Sequence, residues 1–128
     1  MPLLALLTKG SVPVFNALTQ TVNGQVLNTN ADTIASTIAQ AMSAHFTVHL
    51  SFCFEKNGVL ETATNEASWL KTLTPSAYAS MVESGQISAG MLPKLDNGFK
   101  ALQKGVKKVS IKNASNLLTP TGTTLTYD

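Results

Sequence analysis

Two polar segments constrain this sequence most, because each leads directly into an amphipathic helical pattern. The first runs from Asn28 to Thr33 and the second from Gly85 to Lys94. The start of a helix carries partial positive charge and N–H groups without helical partners, so it suits phosphate or carboxylate oxygens. The two segments together predict an anionic ligand held where two helices begin.

Composition limits the classes of protein to which the chain can belong. The sequence has 128 residues, is 44% hydrophobic and has a formal charge of +2, which suits one compact domain over residues 1–128. All cations are lysines, and the absence of arginine tells against nucleic-acid readout. No apolar run approaches the roughly 18 residues of a membrane span. The single cysteine, Cys53, cannot form an internal disulfide, so we expect a cytoplasmic protein.

The first half of the chain predicts a helix end, extended segments, a full helix and a buried strand. Asn23-Gly24 favours a two-residue hairpin turn, and the order strand, helix, strand implies a parallel sheet with a right-handed crossover. The helix from Asp32 to about Ser43 should bury Ile34, Ile38, Ala41 and Met42. The predicted elements are a helical end at 3–8 closed by Gly10, a strand at 12–18, the hairpin, the helix and a strand at 46–52.

The second half predicts two helices and two strands after a surface loop at 61–71. Thr74 and Pro75 begin one helix and Gly85 ends it, and a second begins near Met91 and ends at Gly105. Its apolar face is Met91, Leu95, Phe99 and Leu102. A strand at 107–111 with solvated alternate positions and a closing strand at 122–127 follow. We predict a three-layer α/β/α sandwich with a mostly parallel sheet and the ligand at the carboxyl ends of its strands.

Asn28, Asp32 and Lys94 are the polar side chains most suited to chemistry in the two segments. Asp32 near a helix start interacts favourably with the helix dipole, so a capping role alone could account for an aspartate there. Asn28, in contrast, can both donate hydrogen bonds to a ligand and accept them from it. Lys94 opposes the dipole by about 0.3–1 kcal/mol, and an anion beside it would reverse that cost. An exposed lysine is little affected by the dipole, so an ordinary surface position and an anion-binding role both remain open for Lys94. Gly90 would let a ligand approach the backbone closely.

Other charged and metal-binding residue types point to less specific roles. The lysines at 100, 104, 107, 108 and 112 form either a solvated rim or, less favoured, an anion-binding surface. His45 and His49 have no cysteine or acid at ligand spacing, so no protein metal site is predicted.

The two segments together, with residues 105–109, resemble the acetylglutamate kinases of the amino-acid kinase family. The resemblance starts at about Ser11 and corresponds to the C-terminal, nucleotide-binding half of such an enzyme. It implies ATP- and Mg²⁺-dependent phosphorylation of the side-chain carboxylate of N-acetylglutamate, or a related N-acyl-glutamate, in arginine biosynthesis. By resemblance, Asn28 binds the substrate, Asp32 orients catalytic lysines, Lys94 contacts the phosphoryl group and nucleotide, and Gly58, Gly90 and Met91 lie beside the nucleotide.

The resemblance also carries departures and an alternative. The family's Asp-Val-x-Gly turn is replaced by the segment 51–60, which contains Glu55, and the first glycine-rich strand with its lysine is not present. We therefore expect poor turnover by this chain alone. The alternative is a non-catalytic nucleotide-binding or oligomerisation module, and an exposed sheet edge would make a homo-oligomer the expected state.

Overall fold

The computed structural model describes residues 1–128, and it contains both helices and strands. Four helices and six strands are joined by loops and one 3₁₀ turn. They are α1 (Pro2–Thr8), β1 (Leu18–Gln20), β2 (Val26–Asn28), α2 (Ala31–Met42), β3 (His49–Phe54), β4 (Thr72–Leu73), α3 (Pro75–Glu83), α4 (Leu92–Gln103), β5 (Lys108–Asn113), the 3₁₀ turn (Ala114–Asn116) and β6 (Thr123–Leu125).

The main sheet has four strands in the order β3-β5-β6-β4. β3 pairs with β5 and β4 pairs with β6 in parallel, whereas β5 and β6 are antiparallel. The prediction of an α/β fold with a mostly parallel sheet flanked by helices is therefore confirmed. Because β3 and β5 are parallel and in register, Phe54 lies opposite Asn113, and the loops that follow them leave the sheet at the same edge.

The hairpin forms, but it is separate from the main sheet. β1 and β2 pair only with each other, so the predicted parallel pairing across α2 is wrong. Its turn holds three residues between Thr21 and Gln25, and only Gly24 has a positive φ (86°). The predicted two-residue turn, which needs positive φ at both positions, is therefore also wrong.

The strand predicted at 12–18 is mostly absent, since only Leu18 belongs to β1. Residues 11–16 have no regular structure, and Val12 and Val14 are 88% and 93% exposed. Strand propensity reflects packing against neighbouring strands more than an intrinsic backbone preference. With no neighbour to pair with, this apolar segment remains outside both sheets.

The core lies between the main sheet and the packed helices α2 and α4. Leu95 and Ala101 on α4 and Val109 and Ile111 on β5 are completely buried. Gly98 brings α4 close to the sheet, because a Cβ there would lie 2.6 Å from Leu125 Cδ1. The predicted face of α4 is confirmed, since all four of its apolar residues are buried.

The buried face of α2 differs from the prediction. Ser36 is completely buried and Ala39 lies in the core, whereas Ala41 is exposed. Ser36 Oγ donates to Asn97 O of α4 at 2.9 Å. A polar residue can occupy this helix interface because its hydrogen bond is satisfied there, which apolar spacing alone does not reveal.

Two strands also differ from their predicted pattern. β3 begins at His49, three positions after the predicted start, and β4 was not predicted. In β5 the four residues from Val109 to Lys112 are all buried, so the predicted alternation is wrong. The Lys112 ammonium donates to Thr119 O at 2.7 Å and to Leu117 O at 3.3 Å, which satisfies it beneath the following loop.

Candidate functional site

An ion pair joins the starts of α2 and α4. Lys94 Nζ lies 3.0 Å and 3.1 Å from the two carboxylate oxygens of Asp32. The two side chains are only 18% and 17% exposed, so solvent screens the pair less than a surface ion pair. The structure therefore brings together the two predicted catalytic residues, and Asp32 itself offsets the unfavourable position of Lys94 at a helix start.

Hydrogen bonds between the two helices set the position of this pair. Besides the Ser36 bond, Asn97 Nδ2 of α4 donates to Thr33 Oγ1 of α2 at 3.4 Å. Within α4, Asn97 Nδ2 also donates to Pro93 O at 2.9 Å. At the far ends of the helices, Ser43 Oγ contacts Lys104 O at 3.3 Å. The bonds link successive turns of α2 and α4, so the helices run side by side with both starts at the same end.

The two helix starts differ in their free N–H groups. Asn30 caps α2, and its side-chain oxygen accepts from the N–H of Asp32 at 2.8 Å and of Thr33 at 3.4 Å. No side chain caps α4. Both starts were predicted to be open to an anion, but of the two only the start of α4, beside Lys94, lacks a side-chain cap.

An apolar cavity of about 160 Å³ lies between the loop after β3 and the segment before α4. Lys56 also lines it, and the Lys56 ammonium is paired with Glu66, whose hydrogen bond and charge raise the pKa of Lys56. The cavity therefore offers mainly apolar contacts, as a flat heterocycle requires. Its apolar and glycine lining comprises Phe54, Gly58, Val59, Leu60, Ala63, Ile87 and Met91.

A second, open cavity is lined by the cationic side chain of Lys94. It shares Phe54 and Glu55 with the apolar cavity, so the two are adjacent. We call the two together the cleft. The lining of the second cavity is Cys53, Phe54, Glu55, Gly90, Lys94 and Ala114. An apolar pocket next to a lysine and an uncapped helix start suits a molecule with a ring at one end and negative charge at the other.

The predicted nucleotide residues divide between the two cavities. Gly58 and Met91 line the apolar cavity, and Gly90 and Lys94 line the second. Gly58 also has a packing role, since a Cβ there would lie 2.4 Å from Thr123 Oγ1 and 3.0 Å from the Thr123 nitrogen. Nothing lies within 4 Å of a Cβ at Gly90, so Gly90 has open space beside it.

Asn28 ends β2, two residues before the cap of α2. It is exposed and lines neither cavity. The structure thus brings Asp32 and Lys94 together but does not place Asn28 against them.

Phe54, Ile87 and Asn113 line or support the cleft, and no role was predicted for them from the sequence. Phe54 lies at the carboxyl end of β3, and Asn113 lies opposite it at the end of β5. Asn113 Nδ2 donates to Glu55 O at 2.8 Å. Residues at the carboxyl ends of parallel strands are candidates for a binding site. These residues can be identified in that way only when it is known which strands pair.

Metal-binding residue types and the lysine run contribute little to the cleft. No group of three or more His, Cys, Asp or Glu side chains is placed to hold a metal ion. Lys100, Lys104, Lys107 and Lys108 are exposed, whereas Lys112 is buried under its own loop. No helix has the length and apolar character needed to span a bilayer.

Comparison with known proteins shows which sequences are similar to this chain. The sequence is 44% identical over 117 residues to the acetylglutamate kinase of Cytophaga hutchinsonii, which covers 91% of this chain and 44% of the relative. It is 45% identical over 121 residues to the acetylglutamate kinase of Parabacteroides distasonis, covering 94% and 48%. The chain spans about half the length of the curated relatives it matches.

Solved structures share the fold, and a family match identifies it. The protein smu.665 of Streptococcus mutans UA159 superposes with a TM-score of 0.82 at 29% identity, covering 99% of this chain and 47% of that chain. Giardia carbamate kinase superposes at 0.72 with 15% identity, covering 99% and 48%, which shows a common fold alone. Residues 2–113 of the sequence also match the amino acid kinase family. The chain therefore belongs to the amino acid kinase family.

Proposed function

We propose that this chain forms the nucleotide-binding lobe of an acetylglutamate-kinase-like enzyme. The reaction is phosphoryl transfer from ATP to the side-chain carboxylate of N-acetylglutamate or a related N-acyl-glutamate, as in arginine biosynthesis, and the expected location is the cytoplasm. The observation that carries the proposal is the Asp32–Lys94 ion pair, which lies where an uncapped helix start meets the cleft. The relatives named acetylglutamate kinase support the choice of substrate.

The geometry supports a division of roles between the two cavities. The adenine ring of ATP occupies the apolar cavity beside Phe54, Gly58 and Met91, and the phosphates extend past Gly90 to Lys94. Phosphoryl transfer requires positioning and neutralisation of charge more than covalent help. The Lys94 ammonium and the unpaired N–H groups of α4 neutralise the transferring phosphoryl group, and Asp32 keeps the ammonium in place.

Asn28 and Mg²⁺ complete the proposal. Asn28 contributes an amide on the approach to α2, where the acyl-glutamate would bind. Mg²⁺ commonly binds through one or two carboxylates together with substrate phosphates, and Glu55 is the carboxylate that lines the second cavity. The residues therefore fit a metal ion that arrives with the nucleotide and neutralises phosphate charge.

Calorimetric titration with ATP tests the proposal, with variants of two lysines on the same helix. Lys94→Ala should abolish measurable binding, because it removes the cation of the cleft. Lys100→Ala makes the same change of charge at an exposed position in the last turn of α4, and should bind ATP as the unmodified chain does. Equal affinity in the unmodified chain and Lys94→Ala would overturn the assignment.

Cys53 gives a second measurement on the same site. It is the only cysteine, it is exposed, and it lines the second cavity with Lys94. Bound ATP should slow alkylation of the Cys53 thiol, and it should not do so in Lys94→Ala. Phosphoryl transfer itself is measured by ADP release with N-acetylglutamate. We expect this chain alone to be slow, because Lys94 is the one lysine that lines the second cavity, where the phosphates would lie.

A second candidate function, an oligomerisation module, is favoured by an apolar groove at the β3 edge of the sheet. We define the groove by Leu3, Leu7, Phe15, Ile38, Met42 and Phe46, which line a concave surface beside residues 48–50. β3 is an edge strand, and edge strands beside apolar surface favour association. Analytical ultracentrifugation separates the candidates, since a tight oligomer that binds no ATP would support the module.

A further inference from the structure

Two side-chain amides connect the loops that line the cleft. Asn113 Nδ2, at the end of β5, donates to Glu55 O at 2.8 Å. Asn116 Nδ2, in the 3₁₀ turn, donates to Asn57 Oδ1 at 3.0 Å. Both bonds run from the segment 113–116 to the segment 55–57, and we call the pair the amide clamp.

The orientation of the Asn113 amide is determined by its other contacts. Asn113 Oδ1 accepts from the Ser115 N–H at 2.9 Å and from Ser115 Oγ at 2.7 Å. A backbone N–H can only donate, so the amide oxygen must face Ser115 and the NH₂ group must face Glu55 O. Because a carbonyl can only accept, the amide hydrogen of Asn113 has no substitute in this bond.

The clamp holds the wall of the cleft against the sheet. Glu55 lines both cavities, and the neighbouring Lys56 and Gly58 line the apolar one. Ala114, on the other side of the clamp, lines the second cavity. The loop after β3 runs through an exposed stretch before it returns at β4, so the clamp is its attachment next to the end of β5.

We propose that Asn113 is a positioning residue for the nucleotide site, acting through the backbone of Glu55. The inference rests on the proposed function, because the nucleotide is what the positioned loop would contact. Loss of the amide donor leaves the carbonyl of Glu55 unpaired and lets the loop move away from β5. A mobile loop must be ordered again when nucleotide binds, which weakens binding without removing any contacting side chain.

Two isosteric Asn→Asp changes test the clamp because they should have opposite results. In Asn113→Asp the carboxylate still accepts from Ser115 but can no longer donate to Glu55 O. In Asn57→Asp the carboxylate still accepts from Asn116, so the bond is kept. Each change adds one negative charge to the same region, which makes Asn57→Asp a control for electrostatic repulsion of ATP.

We expect Asn113→Asp to weaken ATP binding about three- to tenfold, as the loss of one hydrogen bond implies. Asn57→Asp should remain within about twofold of the unmodified chain. Limited trypsin digestion gives a second measurement that needs no nucleotide, because cleavage after Lys56 reports opening of the loop. Mass spectrometry should show faster cleavage at Lys56 in Asn113→Asp than in the unmodified chain.

The outcomes separate this inference from the proposed function. Normal ATP affinity and normal Lys56 cleavage in a folded Asn113→Asp would overturn the clamp, as would equal weakening in both variants. Absence of ATP binding by the unmodified chain would overturn the proposed function and, with it, the nucleotide role of Asn113. If Asn113→Asp does not fold by circular dichroism, Asn116→Ala removes only the second bond, and unchanged ATP affinity and unchanged Lys56 cleavage there would also overturn the clamp.

Discussion

The cleft and the apolar groove lie at different parts of the sheet. They differ in how completely their side chains are paired or covered by the rest of the chain. In the cleft, Asp32 pairs with Lys94, Asn30 caps α2 and the amide clamp joins two loops. No buried side-chain nitrogen or oxygen in the protein lacks a hydrogen-bond partner. Beside the groove, by contrast, Val12 and Val14 are almost fully exposed.

This difference shows that polar groups can find partners within a small cluster of side chains, whereas apolar segments need a large opposing surface. Hydrogen bonds and ion pairs are short-range and directional, so a few side chains on neighbouring helices can satisfy one another. Burial of an apolar segment requires a whole surface on the other side. The cleft is therefore organised within this chain, whereas apolar side chains beside the groove are left uncovered.

The largest effect on stability is expected at the glycine that supports the cleft wall. Gly58→Ala should lower the free energy of unfolding by about 2–3 kcal/mol, because its methyl group would collide with the hydroxyl and backbone nitrogen of buried Thr123. Gly90→Ala, where the added methyl meets nothing, is the matched control and should unfold within about 0.5 kcal/mol of the unmodified chain. Urea denaturation measures both, and equal stability of the two variants would show that the wall is not packed as described.

The next effect concerns the groove. Val14→Lys should raise the dissociation constant of a self-associated form at least about tenfold, because it places a charge next to Phe15, which lines the groove. Val22→Lys makes the same change at the fully exposed tip of the hairpin. Sedimentation equilibrium compares them, and an unmodified chain that is monomeric at all concentrations would contradict the role given to the groove.

A smaller effect is expected from the ion pair of the cleft. A double-mutant cycle with Asp32→Asn and Lys94→Met should give a coupling of about 1–2 kcal/mol. This lies between the value for exposed ion pairs and that for hydrogen bonds to charged groups, because both side chains are largely buried. Chemical denaturation of the two single variants and the double variant measures it. A coupling near zero would mean that the pair does not hold Lys94 in place.

The smallest effect concerns the contact between α3 and α4. Tyr78 Oη donates to Asp96 at 2.6 Å, and partial burial, together with this carboxylate, raises the pKa of Tyr78 above its usual value near 10. Because the folded-state pKa is the higher one, the stabilisation is fully present below about pH 10 and is lost as the pH rises further. Tyr78→Phe should cost about 1 kcal/mol at pH 7. Thermal unfolding at several pH values should show this difference shrinking above pH 10, and a difference independent of pH would contradict the assignment.

Helices were predicted better than strands, for a physical reason. Asn30 and Thr74 accept hydrogen bonds from N–H groups two or three residues further on, and Gly85 and Gly105 have positive φ just after helix ends. Such signals act within a few residues. The segment 12–18 has strand-forming residues but no neighbouring strand, and β4 is a strand only because β6 lies beside it.

The same distinction applies to the site. Asp32 and Lys94 were predicted from helix starts, and the resemblance to a kinase family placed Gly58, Gly90 and Met91 near a nucleotide. Glu55 O and Asn113 have no local pattern in common, because their contact depends on the register between β3 and β5. The burial of Ser36 likewise depends on the packing of α2 against α4.

From its residues alone, this chain could be assigned helices with defined ends, a mostly parallel α/β class and a family with its candidate site residues, because these depend on neighbouring side chains and local motifs. The tertiary structure decided which helix starts beside the cleft, how Lys94 is neutralised, and which loops form the cleft. Those features depend on hydrogen bonds and packing between residues far apart in the chain, and they exist only once the sheet has its order and register.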